Sequence, residues 1–506
     1  MKTAVAGGVD LCLANPGTTE MPLVAALDAV PGVRAVLGLF EGVCTGAADG
    51  YARMTGRPAL TLLHLGPGFA NGIANLHNAR RARVPVVNLI GDHTTWHVGA
   101  DAPLTSDIVS LARPVSGWVH TSADAKSLPG DFAAALHASL GPPGQVASLI
   151  VPQDCQWDPA EGPARAAAPA KGSAPDDAVV AAAAEALRGD APAALLIGGP
   201  ALVERGLRAA ARIRAATGCR VLHETFFARL ERGGDLPCFE RLPYFPEQAI
   251  EVLAPFRTLL LAGARDPVAF FGYAGVPSRL APEAAQRLEL AADDVDAALA
   301  LEALADRLGA PGAVAVDPPQ PAESPSGALS VAALGQAIAA LQPEGAIVMD
   351  EGATSGLAYF VLAAGAPRHS LLSLTGGAIG QGLPCAVGAA LACSDRKVIA
   401  LQADGSGMYT LQALWTMARE SLDVVTIICA NRAYRILQVE LGRAGIAEPG
   451  PQALGLTDLS RPEIDWVALA RGLGVPGRRA QSADAFADAL ARALAEPGPS
   501  LIEALL

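Results

Sequence analysis

Runs of apolar residues of strand length alternate along the whole chain with segments of helical periodicity. From residue 10 to residue 91 the order reads "DLCLAN", "TEMPLVAALDAV", "VRAVLGLF", "EGVCTGAADGYARMTG", "PALTLLHLG", "NGIANLHNARRAR" and "VPVVNLIG". The middle of the chain repeats the style with "AALLIGGP", "ERGLRAAARIRAATG", "CRVLHET" and "RTLLLAGA". The last third does so again with "GAIVMDEG", "RKVIALQADG", "MYTLQALWTMARES", "DVVTIICAN" and "SLIEALL". Strand-then-helix repetition predicts parallel sheets covered by helices. Two stretches rich in Pro, Ala and Gly, 158–177 and 309–327, interrupt the pattern and read as linkers. The expectation is an α/β protein of three doubly wound parallel-sheet domains, at residues 1–160, 178–308 and 328–506.

Composition supports that architecture and narrows the partners. The chain has 506 residues, too many for one core, and half of them are hydrophobic while 17% are charged. A net charge of −13 argues against nucleic acid, which needs clustered Lys and Arg. The short basic runs "RRAR" (80–83) and "GRR" (477–479) read as solvated faces. Eight cysteines include no C-x-x-C pair and sit in Val/Leu/Ala-rich surroundings, so they read as small buried hydrophobes in a reducing cytoplasm. "SLLSLTGGAIGQGLPCAVGAALACS" has 25 uncharged residues, enough to span a bilayer. Gly376, Gly377, Gln381 and Pro384 break it into a strand, a turn and a helix, and Asp10 interrupts the apolar N-terminal run. A soluble, cytoplasmic protein is expected.

Two places carry candidate chemistry. In "LGLFEGVCTGAADGYAR" the carboxylate of Glu41 stands among apolar and small residues, where a charge needs a partner or a task. In "LQADGSGMYTLQALWTMARESLDVVTIICANRAY" one predicted strand ends at Asp404 and the next at Asn431, one βαβ passage later. Both residues then lie at the carboxyl edge, where doubly wound sheets bind ligands. An Asp carboxylate and an Asn carbonyl are hard oxygen donors suited to Mg²⁺. Gly405 permits close approach, and Ser406 opens a helix whose N-terminus attracts anions. The same residues also suit an N-cap Asp and a turn Asn, and Glu41 also suits a helix-start carboxylate.

The pattern resembles the thiamine-diphosphate fingerprint, and the resemblance extends over essentially the whole chain. "ANPGTTEMPLVAAL" is similar to the opening loop of that superfamily's pyrimidine-binding domain, "LFEGVCTGAADGYARMTGRPA" to its glutamate helix, and "HLGPGFANGIANL" to the loop that follows. "LTGGAIGQGLPCAVGAALA" is similar to the segment that begins the diphosphate-binding side. The overall likeness is to acetolactate synthase large subunits, and more distantly to benzoylformate decarboxylase. It implies pyrimidine-binding, central and diphosphate-binding domains, thiamine diphosphate with Mg²⁺, and a small 2-oxo acid as substrate. It also implies a homodimer or homotetramer with its sites between subunits. Asp404 and Asn431 would hold the metal through side chains and Ala433 through its backbone carbonyl. Ala403, Ala430 and Arg432 depart from the fingerprint without removing a ligand, and Arg432 could face the diphosphate or lie in solvent, the reading preferred.

On that resemblance Glu41 hydrogen-bonds N1′ of the aminopyrimidine and promotes proton removal from the cofactor; burial among Leu39, Phe40 and Val43 would favour the shared proton. Gly377 would accept from the 4′-amino group through its carbonyl, and Ile379 would wedge between the two rings. Thr354, in "DEGATSG", fits a diphosphate contact or a turn hydroxyl. His64 ends a predicted strand where benzoylformate decarboxylase also has a histidine. It could bind the substrate carboxylate, shuttle a proton, or be structural. His93 and His97 in "GDHTTWH" are weaker candidates, and Asn71 would contact cofactor or substrate, or cap the helix "GIANLHNA". "LLIGGPALVERG" lacks G-x-G-x-x-G, so FAD is not expected in the central domain. The implied reaction is 2-oxo acid decarboxylation with carboligation to a second carbonyl. The alternatives are simple decarboxylation, and a non-catalytic homologue serving as a binding or regulatory subunit.

Overall fold

Three sheets dominate the computed structural model, which describes residues 1–165, 172–316 and 319–506. The predicted linkers therefore fall partly outside the described residues, at 166–171 and 317–318. The first sheet uses β1 (Leu11–Asn15), β2 (Arg34–Leu37), β3 (Ala59–His64), β4 (Val86–Asp92), β5 (Trp118–Thr121) and β6 (Val146–Pro152). Their order is β2-β1-β3-β4-β6-β5, every neighbouring pair parallel. The second contains β7 (Ala193–Ile197), β8 (Arg220–His223), β10 (Glu240–Arg241), β11 (Thr258–Ala262) and β12 (Gln286–Ala291), ordered β10-β8-β7-β11-β12. Between β8 and β10 in sequence, β9 (Leu230–Arg232) pairs antiparallel with residues 369–371. The third uses β13 (Ile347–Glu351), β14 (His369–Ser373), β15 (Val398–Ala403), β16 (Val424–Ala430), β17 (Gly477–Ala480) and β18 (Ser500–Leu505), with the order β17-β18-β16-β15-β13-β14.

The order of strands locates the crevices. In the first sheet the chain leaves β1 for β2 on one side and then crosses to β3 on the other. In the third it leaves β13 for β14 and crosses to β15. Each reversal opens a gap beyond the carboxyl ends of the two diverging strands. The residues that follow β1 and β3, and those that follow β13 and β15, are thereby brought to two such gaps.

By packing, the chain divides into two compact units, one carrying the first sheet and all of the third but residues 369–371, the other carrying the second sheet with β9 and residues 368–371. Within the former a shared core runs from Leu11, Val43 and Leu76 to Ile347, Leu383 and Trp466. Its seam lies between the helix Glu41–Thr55, buried at every residue except Thr55, and the helix Gly382–Ala392. Both are rich in Gly and Ala, which lets their backbones approach. A Cβ on Gly50 would overlap the carbonyl of Cys385, and one on Gly388 would overlap the carbonyl of Ala47. Inside this seam Asp49 and Arg53 form an ion pair at 2.8 Å with neither side chain exposed.

The helix Leu65–Ala82 begins earlier than the sequence pattern suggests, since "HLGPGFANG" was expected to be a loop. Conversely, the helix expected over 408–421 is confined to Ala413–Arg419 and is preceded by the four-residue turn of helix Asp404–Gly407. Of the cysteines, Cys238 and Cys393 are only partly buried and the other six are buried; none is in a disulfide among the described residues. No described helix is long and apolar enough to cross a membrane.

Candidate functional site

Glu41 is the first residue of its helix, just past the end of β2, and is 9% exposed. Phe40 precedes it in extended backbone and Val43 is fully buried. Leu39, expected to help bury the carboxylate, is instead 45% exposed. The partner of Glu41 comes from the next helix: Asn71 Nδ2 donates to Glu41 Oε2 at 2.9 Å. Because that helix starts at Leu65, Asn71 lies inside it and cannot cap it; its amide is used to orient the carboxylate. Gly68 supplies the adjoining wall, for a Cβ there would lie 3.0 Å from Glu41 Oε1 and 3.4 Å from the Cβ of His64.

His64 ends β3, as expected, opposite Gly91 of β4. Its ring meets Glu20, a residue that sequence reasoning missed. Glu20 follows β1, is fully buried, and places Oε2 at 2.8 Å from His64 Nδ1. The backbone N–H of Gly17 donates to the same oxygen at 2.7 Å, and the Thr19 hydroxyl donates to Oε1. His93 and His97 pack edge to face beyond β4, with ring centroids 5.3 Å apart. In "NPGTTEMPL" the signal for Glu20 was a carboxylate at the start of the predicted helix "TEMPLVAALDAV", which the helix start explains equally well.

On the third sheet, β15 and β16 are hydrogen-bonded neighbours, so Asp404 and Asn431 project from adjacent carboxyl ends. Asp404 is 3% exposed. Its Oδ2 accepts from the Arg432 N–H at 2.6 Å and its Oδ1 from the Gly405 N–H at 2.8 Å. Burial pushes the Asp404 carboxyl up, against the pull of those two amides. Asn431 Oδ1 accepts from the Ala433 N–H at 3.0 Å. This buried carboxyl, with an amide oxygen at the adjacent strand end, is a donor set that fits Mg²⁺. At Gly405 a Cβ would run into the Tyr434 ring, and Ser406 Oγ accepts from Gln402 Nε2. Arg432 has φ of 56° and its guanidinium, at the surface, pairs with Glu463 at 2.8 Å.

Gly377 and Ile379 lie in the turn between β14 and the helix Gly382–Ala392, and this turn is gripped from several directions. Asn78 Nδ2 donates to the Ala378 carbonyl at 2.8 Å, and Thr410 to that of Gly380, also at 2.8 Å. Arg53 donates to the Ser373 carbonyl at 2.7 Å and to Thr375 at 2.9 Å. Glu351, another residue missed from sequence, accepts from the N–H of Gly380 at 2.7 Å and of Gly382 at 2.5 Å. Gly377 has φ of 77°, which only glycine adopts without strain, while Ile379 is half-buried. Thr354 sits in a single turn of 3₁₀ helix after β13 and is exposed.

The chain matches two family descriptions. Residues 1–121 match "Thiamine pyrophosphate enzyme, N-terminal TPP binding domain", and residues 350–504 match "Thiamine pyrophosphate enzyme, C-terminal TPP binding domain". A Mycobacterium tuberculosis protein named "Putative acetolactate synthase large subunit IlvX" is 52% identical, over 100% of this chain and 98% of its own length. Benzoylformate decarboxylase of Pseudomonas aeruginosa is 30% identical, over 98% of this chain and 96% of its own. Among solved structures, the thiamine diphosphate-dependent 4-hydroxybenzoylformate decarboxylase of Rhodococcus jostii RHA1 superposes with a TM-score of 0.86 at 26% identity. That likeness covers 100% of this chain and 97% of that one.

Proposed function

Because the chain belongs to the thiamine pyrophosphate enzyme family, we propose that it decarboxylates a small 2-oxo acid and joins the remaining carbon unit to a second carbonyl. Bound thiamine diphosphate supplies the electron sink for the carbon that loses CO₂. The chain's own residues hold it and move protons. Asp404 and Asn431 hold Mg²⁺ through side-chain oxygens and Ala433 through its carbonyl, with Gly405, Ser406 and Thr354 on the diphosphate side. Gly377 and Ile379 set the conformation of the cofactor's rings from a turn that their neighbours keep rigid. Glu41 exchanges a proton with the aminopyrimidine, while Asn71 holds its other oxygen. The glutamate-bearing half of one subunit faces the diphosphate-bearing half of another, so the site requires at least a dimer.

The observation that carries this reading is the buried Glu41 carboxylate, held at the start of its helix by the Asn71 amide rather than by a cation. A structural helix-start carboxylate gains from solvent and the helix dipole without such burial. Glu41→Gln keeps the side chain's size and its hydrogen bond but cannot exchange the proton. Its kcat is expected to fall about 10²–10⁴-fold, with cofactor affinity little changed. Parent-like kcat in this variant refutes the assignment.

Simple decarboxylation is the second reading, favoured by His64, whose Cβ and the Glu41 carboxyl both border Gly68. A histidine there can deliver a proton from water to the carbon that has lost CO₂ and so release an aldehyde. Incubation with a panel of 2-oxo acids, with and without added aldehydes, separates the two. 2-Hydroxyketones or acetolactate mean ligation, and free aldehyde alone means decarboxylation.

A further inference from the structure

The surroundings of His64 are built to hold one ring nitrogen. Glu20 approaches Nδ1 from the loop after β1, at the gap where the first sheet reverses direction. Two glycines make room for the pair: a Cβ on Gly17 would overlap the His64 ring, and a Cβ on Gly91 would overlap the Glu20 carboxyl. Glu20 is completely buried and the described donors to it are the Gly17 amide, the Thr19 hydroxyl and the imidazole. A carboxylate offers only acceptors, and the Thr19 hydroxyl, 3.2 Å from Nδ1, already donates to Glu20, so these contacts assign the hydrogen to Nδ1. The other nitrogen, Nε2, is then left with a lone pair, and the side chain as a whole remains 24% exposed.

We propose that Glu20 is a positioning residue for His64. It fixes the Nδ1–H tautomer, aims Nε2 at the substrate, and balances the charge of the imidazolium that forms when Nε2 takes up a proton. Nε2 takes up this proton from water and delivers it to the carbon that CO₂ has left, so the ring ends each turnover neutral. This inference rests on the reading of His64 as a proton carrier. It adds a second carboxylate to the site, one that touches neither cofactor nor substrate. A base oriented by a third group is a recurring arrangement in proton-transfer catalysis.

Magic-angle-spinning ¹⁵N NMR of the holoenzyme labelled at histidine reads the tautomer directly, with the His64 signals identified by their loss in His64→Ala. The neutral ring should carry its hydrogen on Nδ1. In Glu20→Gln the remaining side-chain oxygen can still accept from Gly17 and Nδ1. The tautomer should therefore persist while kcat, with pyruvate and benzoylformate as probes, falls about tenfold or more at nearly constant KM. In Glu20→Ala the acceptor is gone and the neutral ring should shift to the Nε2–H form. An Nε2–H tautomer in the parent overturns the proposal. So does an unchanged kcat in Glu20→Gln alongside an impaired His64→Ala. Parent-like kinetics in His64→Ala would instead overturn the reading of His64 itself, whichever tautomer is observed.

Discussion

Glu351 offers a quantitative test of how the turn before the helix Gly382–Ala392 is held. It is 3% exposed at the end of β13, and its two oxygens take the amides of Gly380 and Gly382. Burial pushes its carboxyl up to about 7 from an ordinary value of 4.5, with the two amides pulling the other way. A folded-state value above the unfolded one means that the native chain holds more protons between pH 4.5 and about 7. Stability from this group is therefore full below that window and is lost as pH rises through it. The shift corresponds to about 3 kcal/mol in total, at about 1.4 kcal/mol per unit. Glu351→Gln cannot titrate, and whatever its single oxygen loses against two amides is the same at both pH values. Urea unfolding of parent and variant at about pH 5 and about pH 8 gives a difference of differences in which the other titrating groups cancel. The parent should lose about 2–3 kcal/mol more than the variant on going to the higher pH. Curves that move in parallel, to within about 0.5 kcal/mol, would show that Glu351 stays ionised in its cradle and refute the argument.

Asp404→Ala should abolish the joint binding of thiamine diphosphate and Mg²⁺ rather than merely slow turnover, since on the proposed assignment it removes the charged ligand of the metal; isothermal titration showing unchanged affinity would sink that assignment. Gly388→Ala should destabilise the unit that carries the first and third sheets by about 1–3 kcal/mol, because the new methyl meets the Ala47 carbonyl; an unchanged melting temperature would mean that the seam can open without cost.

Much of the fold was legible because strand and helix periods differ and the apolar runs are long. The carboxyl ends of β3 and β15 fell at His64 and next to Asp404, as the apolar runs indicated. The start of the Leu65 helix was not legible, since Gly66, Pro67 and Gly68 read as a loop. Pro67 is tolerated there because it lies in the first turn, where its missing N–H has no helical partner. Glu41 and Asp404 stood out because each is a charge in an apolar context. Glu20 and Glu351 did not, because one begins a predicted helix and the other ends a strand, each beside polar or small residues, and the burial of each is created by distant glycines. For Glu20 the space comes from Gly91, and Glu351 packs where a Cβ on Gly382 would stand. Sequence shows a charge's neighbours along the chain; these two are held by neighbours across it.

The Gly/Ala seam also decides how this protein can be divided. A fragment ending before residue 160 would present to water the face of the Glu41 helix that carries Gly46, Gly50 and the buried Asp49–Arg53 pair. The complementary fragment would expose Pro384, Cys385 and Gly388. Neither face has the large side chains that could re-form a core alone, so the first and third sheets should unfold as one cooperative block. Any hybrid gene that takes these two segments from different parents must match both helices residue for residue at the points of backbone contact. The segment from β7 to β12 has its own core, around Leu196, Leu222 and Leu259, and is free of that constraint. Recombination among relatives should therefore exchange the central segment readily and keep the two cofactor-binding segments together.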